Sequence, residues 1–358
     1  MSKAIVGWDI GGAHLKAMLL NSNGDVEQVL QLPCQLWKGL DQLENAMLNA
    51  LRAFKILPSG AHHAITMTGE LVDCFVNRHE GVMAIASLSA KLLGKETLFY
   101  AANSGFVALE RVSDHTSAIA STNWHASASA LAVHVSDALF IDIGSTTTDI
   151  IAIESGKVKA TAFSDAARMR DDSLVYTGVV RTPVMALAQK IPFAGNLVNV
   201  AAEHFATTAD VYTLTGDLPL AENMAETADG ADKSLEASAR RIARMIGWDA
   251  HNAPLSAWRN LAYAFKHAQL KQIKQATLRQ ISLLKGCHGL HIVGAGVGDF
   301  LVHELTKQLG FKYESIANLI SAVDDETRNM AAVCFPAYAV ARLAEKWLAK
   351  KQPAIQNA

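Results

Sequence analysis

The stretch ALFIDIGSTTTDIIAI (residues 138–153) decides the fold. It reads as an apolar strand, then Asp-Ile-Gly, a turn of small polar residues, and a second apolar strand. The layout occurs once before, in AIVGWDIGGAHLKAMLL (residues 4–20). The two aspartates, Asp9 and Asp142, lie 133 residues apart, so each copy heads a unit of single-domain size. A duplicated half is the economical reading.

Working outward, a third strand is expected after each hairpin, over residues 25–32 and 157–164. Residues 40–54 carry apolar side chains at a helical period and stop at Leu57-Pro58-Ser59-Gly60. Residues 64–68 read as another strand, residues 255–283 as a long helix, and residues 289–293 as a buried strand. A final helix is expected over 326–350, bent by Pro336, and residues 352–358 are expected to fray. Strands alternating with helices imply an α/β layered fold. The sequence divides into lobes at 1–135 and 136–350, with residues 166–249 an irregular, substrate-facing insertion.

Composition narrows the function classes. Of 358 residues, 50% are hydrophobic and 18% charged, so the chain must bury a large core. Lys+Arg 32 against Asp+Glu 34 gives a formal charge of −2, which offers no field for a polyanion or an anionic membrane. No uncharged apolar run reaches the ~18 residues of a membrane span, and MSKAIVGWDIGG enters a strand without a signal-like apolar core. A cytoplasmic protein that binds neither nucleic acid nor membrane is expected. Cys34, Cys74, Cys287 and Cys334 form no metal or disulfide spacing and are expected to be buried thiols. The histidines show no ligand spacing either, and the stretch Lys266 to Lys274 reads as a solvated basic face.

The chemistry sits on the two turns. Glycine lets the backbone approach an anion closely, so successive N–H groups can form a phosphate nest. A carboxylate at the strand end can hold Mg²⁺, whose charge offsets that of the phosphate. Copy one supplies Asp9, Gly11, Gly12, His14 and Lys16; copy two supplies Asp142, Gly144, Ser145, Thr146, Thr147 and Asp149. A third glycine turn, Gly294-Ala295-Gly296-Val297-Gly298, opens a helix expected over 300–309. Its G-x-G-x-G spacing is not the dinucleotide fingerprint, and there is no Walker A motif.

Two Asp-x-Gly hairpins followed by a late glycine turn resemble the actin, Hsp70 and sugar-kinase superfamily. The closer resemblance is to its hydantoinase/oxoprolinase-like branch. Met67-Thr68-Gly69-Glu70-Leu71, Asn123-Trp124-His125-Ala126, Asp142 to Asp149, Leu174 to Pro183 and Thr208 to Tyr212 resemble the proteins of the tetrahydromethanopterin-linked one-carbon pathway. The resemblance covers essentially the whole chain. It implies two related actin-like (ribonuclease H-like) lobes with a ligand cleft between them. It also implies a transferase of methylofuran synthesis, used by a methylotroph to build its formyl carrier. There the phenol oxygen of γ-glutamyltyramine displaces pyrophosphate from an aminomethylfuran diphosphate.

On that resemblance Asp9 and Asp142 hold Mg²⁺, and the amides of Gly11, Gly12, Gly144, Ser145 and Thr146 bind the diphosphate. Lys16 or Arg181 adds positive charge, and Glu70 or Asp149 is the base for the phenol. Asn123 and Trp124 could meet an aromatic substrate, and Tyr176 lies in the pocket-lining segment with Arg181. The resemblance leaves ATP open as a ligand beside Mg²⁺, and a homodimer open as the assembly. Three other activities share these turns. An ATP-dependent small-molecule kinase needs the 294–298 loop to accept adenosine. A hydantoinase or oxoprolinase subunit is normally a longer chain. An ATP switch protein needs a partner surface.

Overall fold

The computed structural model describes residues 3–284, 286 and 289–351; the expectations for Cys287 and for residues 352–358 lie outside them. Strands β1 (Ala4–Ile10) and β2 (His14–Leu20) form the first hairpin, with Asp9 directly opposite Lys16. β3 (Val26–Pro33) continues it antiparallel to β2. Helix α1 (Leu40–Phe54) then crosses over and returns the chain as β4 (Ala61–Met67), parallel to β1. α1 turns Leu43, Met47, Ala50, Leu51 and Phe54 inward, the apolar period expected from the sequence. Helix α2 (Arg78–Leu93), N-capped by Asn77, leads to β5 (Leu98–Tyr100) and β6 (Phe106–Val107), and short helices α3 (Thr116–Ile119) and α4 (Asn123–Leu131) follow. The sheet order is β3-β2-β1-β4-β5-β6.

The second copy repeats the plan. β7 (Ala138–Ile143) and β8 (Thr148–Glu154) form its hairpin. The single third strand expected over 157–164 is instead two short strands on β8, β9 (Lys157–Lys159) and β10 (Leu174–Val175), separated by α5 (Asp165–Arg170). The inserted region holds a separate hairpin, β11 (Lys190–Phe193) and β12 (Asn196–Asn199), then α6 (Thr208–Thr215) and α7 (Leu235–Arg244). α8 (Leu255–Ser282) precedes β13 (His291–Ala295), α9 (Asp299–Leu309) and β14 (Lys312–Ser315). The order β10-β8-β7-β13-β14 matches β3-β2-β1-β4-β5 position for position. The duplication read from two hairpins therefore extends through both sheets.

The C-terminal helix is two helices, α10 (Asp325–Val333) and α11 (Phe335–Lys351). The break falls at Cys334 because Pro336, lacking an N–H, suits a first helical turn better than a helix interior. α11 packs straight onto β1, where a Cβ on Gly7 would stand 2.0 Å from the carbonyl oxygen of Ala337. Accordingly the chain falls into two compact units that differ from the 1–135 and 136–350 division. Unit 1 comprises the chain up to Ala138, Ile153–Ala167 and the chain from Ser315; unit 2 comprises Leu139–Ala152 and Arg168–Glu314. Each has its own core, around Trp8, Leu15, Met47 and Ile65 in unit 1 and around Ile141, Tyr212, Phe265 and Leu301 in unit 2. Among the described residues no helix is long and apolar enough to cross a membrane.

Candidate active site

In unit 2 the β7–β8 turn closes through the Gly144 N–H, which donates to the Thr147 carbonyl at 2.9 Å. The segment after β10 is laid against that turn: Val179 N–H donates to Gly144 O, and Val180 and Arg181 N–H donate to Ser145 O. The fit is so close that a Cβ on Gly178 would stand 2.5 Å from Ser145 C and Thr146 N. From the other side, Gly298 N–H donates to Ile143 O, and a Cβ on Gly296 would stand 2.3 Å from Asp142 Oδ1. Unit 2 thus gathers Asp142, the 144–147 turn, the Tyr176 to Arg181 segment and the 294–298 turn into one constellation. The N–H groups of Ser145 and Thr146 have no backbone acceptor among the described residues.

Unit 1 builds its turn in the same way, with Gly11 N–H donating to His14 O at 3.0 Å. Its surroundings are different. A Cβ on Gly12 would meet only the Val72 side chain, at 2.7 Å, and Asp9 has Lys16 opposite it across the hairpin. A Cβ on Gly69 would come within 3.2 Å of the Gly11 carbonyl, which brings the 3-10 turn Gly69–Leu71 against the hairpin. Glu70 on that turn is fully buried. Its Oε1 accepts the Ser121 hydroxyl at 2.6 Å, while Oε2 has no hydrogen-bond partner among the described residues. Burial pushes the Glu70 carboxyl up to about 7, against the pull of the Ser121 hydroxyl and the Arg78 charge. Arg78 is paired with Asp165 at 2.6 Å, and Ser121 also reaches Asp165 at 3.4 Å. Ser121 holds φ at +51°, a left-handed conformation that a serine adopts at a cost, and this turns its hydroxyl onto Glu70.

The hydantoinase/oxoprolinase model matches residues 62–344, a span that includes both Glu70 and the Asp142 turn. The chain belongs to the hydantoinase/oxoprolinase family. It is 30% identical over 352 residues, 98% of this chain and 100% of the relative, to the (4-{4-[2-(γ-L-glutamylamino)ethyl]phenoxymethyl}furan-2-yl)methanamine synthase of Methanocaldococcus jannaschii. The enzyme of the same name from Methanococcus vannielii is 31% identical over 183 residues, covering 50% of this chain and 80% of that one. Among solved structures, a nucleotide-free acetone carboxylase superposes with a TM-score of 0.59 at 10% identity, covering 95% of this chain and 70% of that one. That likeness is one of fold, and it takes in both of the halves whose sheet order repeats.

In this hydantoinase/oxoprolinase family member the expected site residues differ in burial and in partners. The Gly11 and Gly144 amides close their own turns, so they are spent before any phosphate arrives. Asp149 is paired with buried Arg168 at 2.7 Å. Trp124 is core, packed edge-on to His125 and against Phe163. Asn123 is half-buried, its side-chain oxygen accepting the Trp124 N–H at 2.7 Å; Tyr176 and Arg181 are exposed. The glycines at 294, 296 and 298 are explained by packing: a Cβ there would strike Asp299, Asp142 and Ile143, respectively. Cys74 is exposed, unlike buried Cys34 and Cys334. Lys266 is no solvated residue, since it pairs with Asp217 and Glu304 at 3.0 and 3.1 Å.

Ser121, Arg78 and Asp165 were absent from the sequence reading. Asp165 is 87 residues from Arg78, and no motif links them. Among the described residues no group of three or more His, Cys, Asp or Glu could hold a metal ion.

Proposed function

We propose that the chain is a transferase of methylofuran-type carrier synthesis, joining an aminomethylfuran diphosphate to the phenol oxygen of γ-glutamyltyramine with release of pyrophosphate. The full-length identity to a synthase whose product contains a phenoxymethylfuran carries this reading. In the reaction the furfuryl carbon–oxygen bond breaks with its electron pair leaving on pyrophosphate, the phenol oxygen bonds to that carbon, and the phenol proton is lost. The tasks divide by unit. In unit 2 the Ser145 and Thr146 amides hold the diphosphate, and Arg181 adds charge at the exposed edge. Asp142 is the unit 2 carboxylate that would hold Mg²⁺, which would supply charge neutralisation of the leaving group, and Asp9 is the matching carboxylate of unit 1.

In unit 1 Glu70 takes the phenol proton through its unpartnered Oε2. A carboxyl near 7 is better matched to a phenol of pKa about 10 than an ordinary carboxylate is. Ser121, bonded to Oε1, fixes the rotamer of this buried carboxyl. The substrates are small molecules, and we place the enzyme in the cytoplasm. The test is incubation with the furan diphosphate, γ-glutamyltyramine and Mg²⁺, read by mass spectrometry for the ether and by pyrophosphate release. Ether formation without ATP is expected. Phosphate release from ATP with no ether would make the chain a kinase or ATP hydrolase instead.

A further inference from the structure

We propose that Gln269, in the middle of α8, is the positioning residue for the Ser145–Thr146 anion turn, acting through the Thr177–Gly178 peptide. This rests for its functional consequence on the reading of that turn as the diphosphate seat. Gln269 is fully buried and lies 92 residues from Thr177 along the chain. Its amide NH₂ donates to Thr177 Oγ1 and to Gly178 O, both at 2.8 Å, and its Oε1 accepts the Tyr212 hydroxyl at 2.5 Å. The orientation of the amide is forced. A carbonyl oxygen can only accept, so the NH₂ must face Gly178 and Oε1 must face Tyr212. Tyr212 is buried and its phenol is pushed well above its ordinary value, so the hydroxyl keeps its proton and remains a donor.

Other buried hydroxyls complete the clamp. Thr208 Oγ1 donates to Gly178 O at 2.8 Å, Thr148 Oγ1 donates to Thr177 O at 2.7 Å, and Gly178 N–H donates to Thr182 Oγ1 at 2.8 Å. A peptide held on every polar atom cannot slide without leaving a buried group unpaired. Gly178 in turn has no clearance from Ser145 and Thr146, so any displacement of it is passed directly to the two amides of that turn. Core apolar packing would have filled this space as well. A glutamine here specifies where Gly178 sits.

The test uses the full chain carrying Gln269→Met, which keeps the length and removes all three hydrogen bonds. Amide hydrogen exchange is read at Val179, Val180 and Arg181, whose N–H groups bond to the turn, and at Ile292 and Val293 in β13 as the control. Exchange at 179–181 is expected to accelerate about tenfold or more, the scale of losing a buried hydrogen bond, with β13 unchanged. Pyrophosphate affinity by calorimetry is expected to weaken by a similar factor. Unchanged exchange at 179–181, or equal acceleration in β13, overturns the proposal. If wild-type protein takes up no pyrophosphate, the function proposed above fails while the exchange comparison still decides this one. If Gln269→Met does not fold, Tyr212→Phe, which deletes one oxygen, carries the same comparison with a smaller, roughly threefold, acceleration.

Discussion

The β1–β2 turn and the β7–β8 turn are the same device walled in two different ways. In both, the N–H of the Asp-Ile-Gly glycine closes on the residue three further along, Gly11 on His14 and Gly144 on Thr147. Around the first turn the walls are partly side chains, Val72 against Gly12 and Lys16 opposite Asp9, with the Gly69 backbone of the Glu70 turn beside Gly11. Around the second they are backbone, from Gly178 on one side and Gly296 and Gly298 on the other. The position that holds Lys16 in the first copy holds Asp149 in the second, and that aspartate is neutralised by buried Arg168. A backbone wall presents fixed dipoles that do not reorganise, which suits a leaving-group anion. A side-chain wall can carry a titrating group, which suits proton transfer.

The largest test of this division is Asp9→Asn beside Asp142→Asn. Each is expected to lower product formation by about a thousandfold, the scale of removing a preorganised electrostatic group, while thermal melting stays close to wild type. Normal turnover in both variants would end the carboxylate–metal assignment. Glu70→Gln comes next, with turnover expected to fall several hundredfold, within the roughly 10²–10⁴ range of a general base. Its second signature separates catalysis from folding. The folded Glu70 carboxyl sits near 7 against an ordinary 4.5, so the folded state binds the proton more tightly and loses stability as pH rises through that window. Gln carries no such proton, so denaturant melts at pH 8 should show the variant about 3 kcal/mol more stable. A variant that is less stable at pH 8 and equally active would make Glu70 a structural residue.

Smaller effects sharpen the contrast between the walls. Gly178→Ala drives a methyl into the Ser145–Thr146 backbone, and overpacking of that kind should weaken pyrophosphate binding by up to about a hundredfold. Gly12→Ala meets a side chain that can turn aside, so a loss of tenfold or less is expected. Equal losses measured by calorimetry would erase the distinction drawn here. Lys16→Met should change turnover least, by about fivefold, because a half-buried cation opposite a carboxylate is partly screened by water.

Sequence alone determined the duplication, because two hairpins of alternating burial with Asp-Ile-Gly between them are local signals, set by strand period and turn chemistry. It also located the α1 and α8 helices to within a residue, from periodicity and flanking Pro and Gly. It placed Glu70 among the candidates through its position after a strand end. What it could not contain was the set of partners. Asp149 looks like a catalytic carboxylate until Arg168 is brought to it, and Trp124 looks like a stacking platform until Phe163 and His125 close over it. Ser121, Arg78 and Asp165 lie 51, 8 and 95 positions from Glu70, and Gln269 sits in a helix whose flanking lysines suggested a solvated face. The tertiary structure alone decided these contacts. A carboxylate's charge state and a glutamine's orientation depend on what is buried beside them, and burial is a property of the packed chain and not of any segment of it.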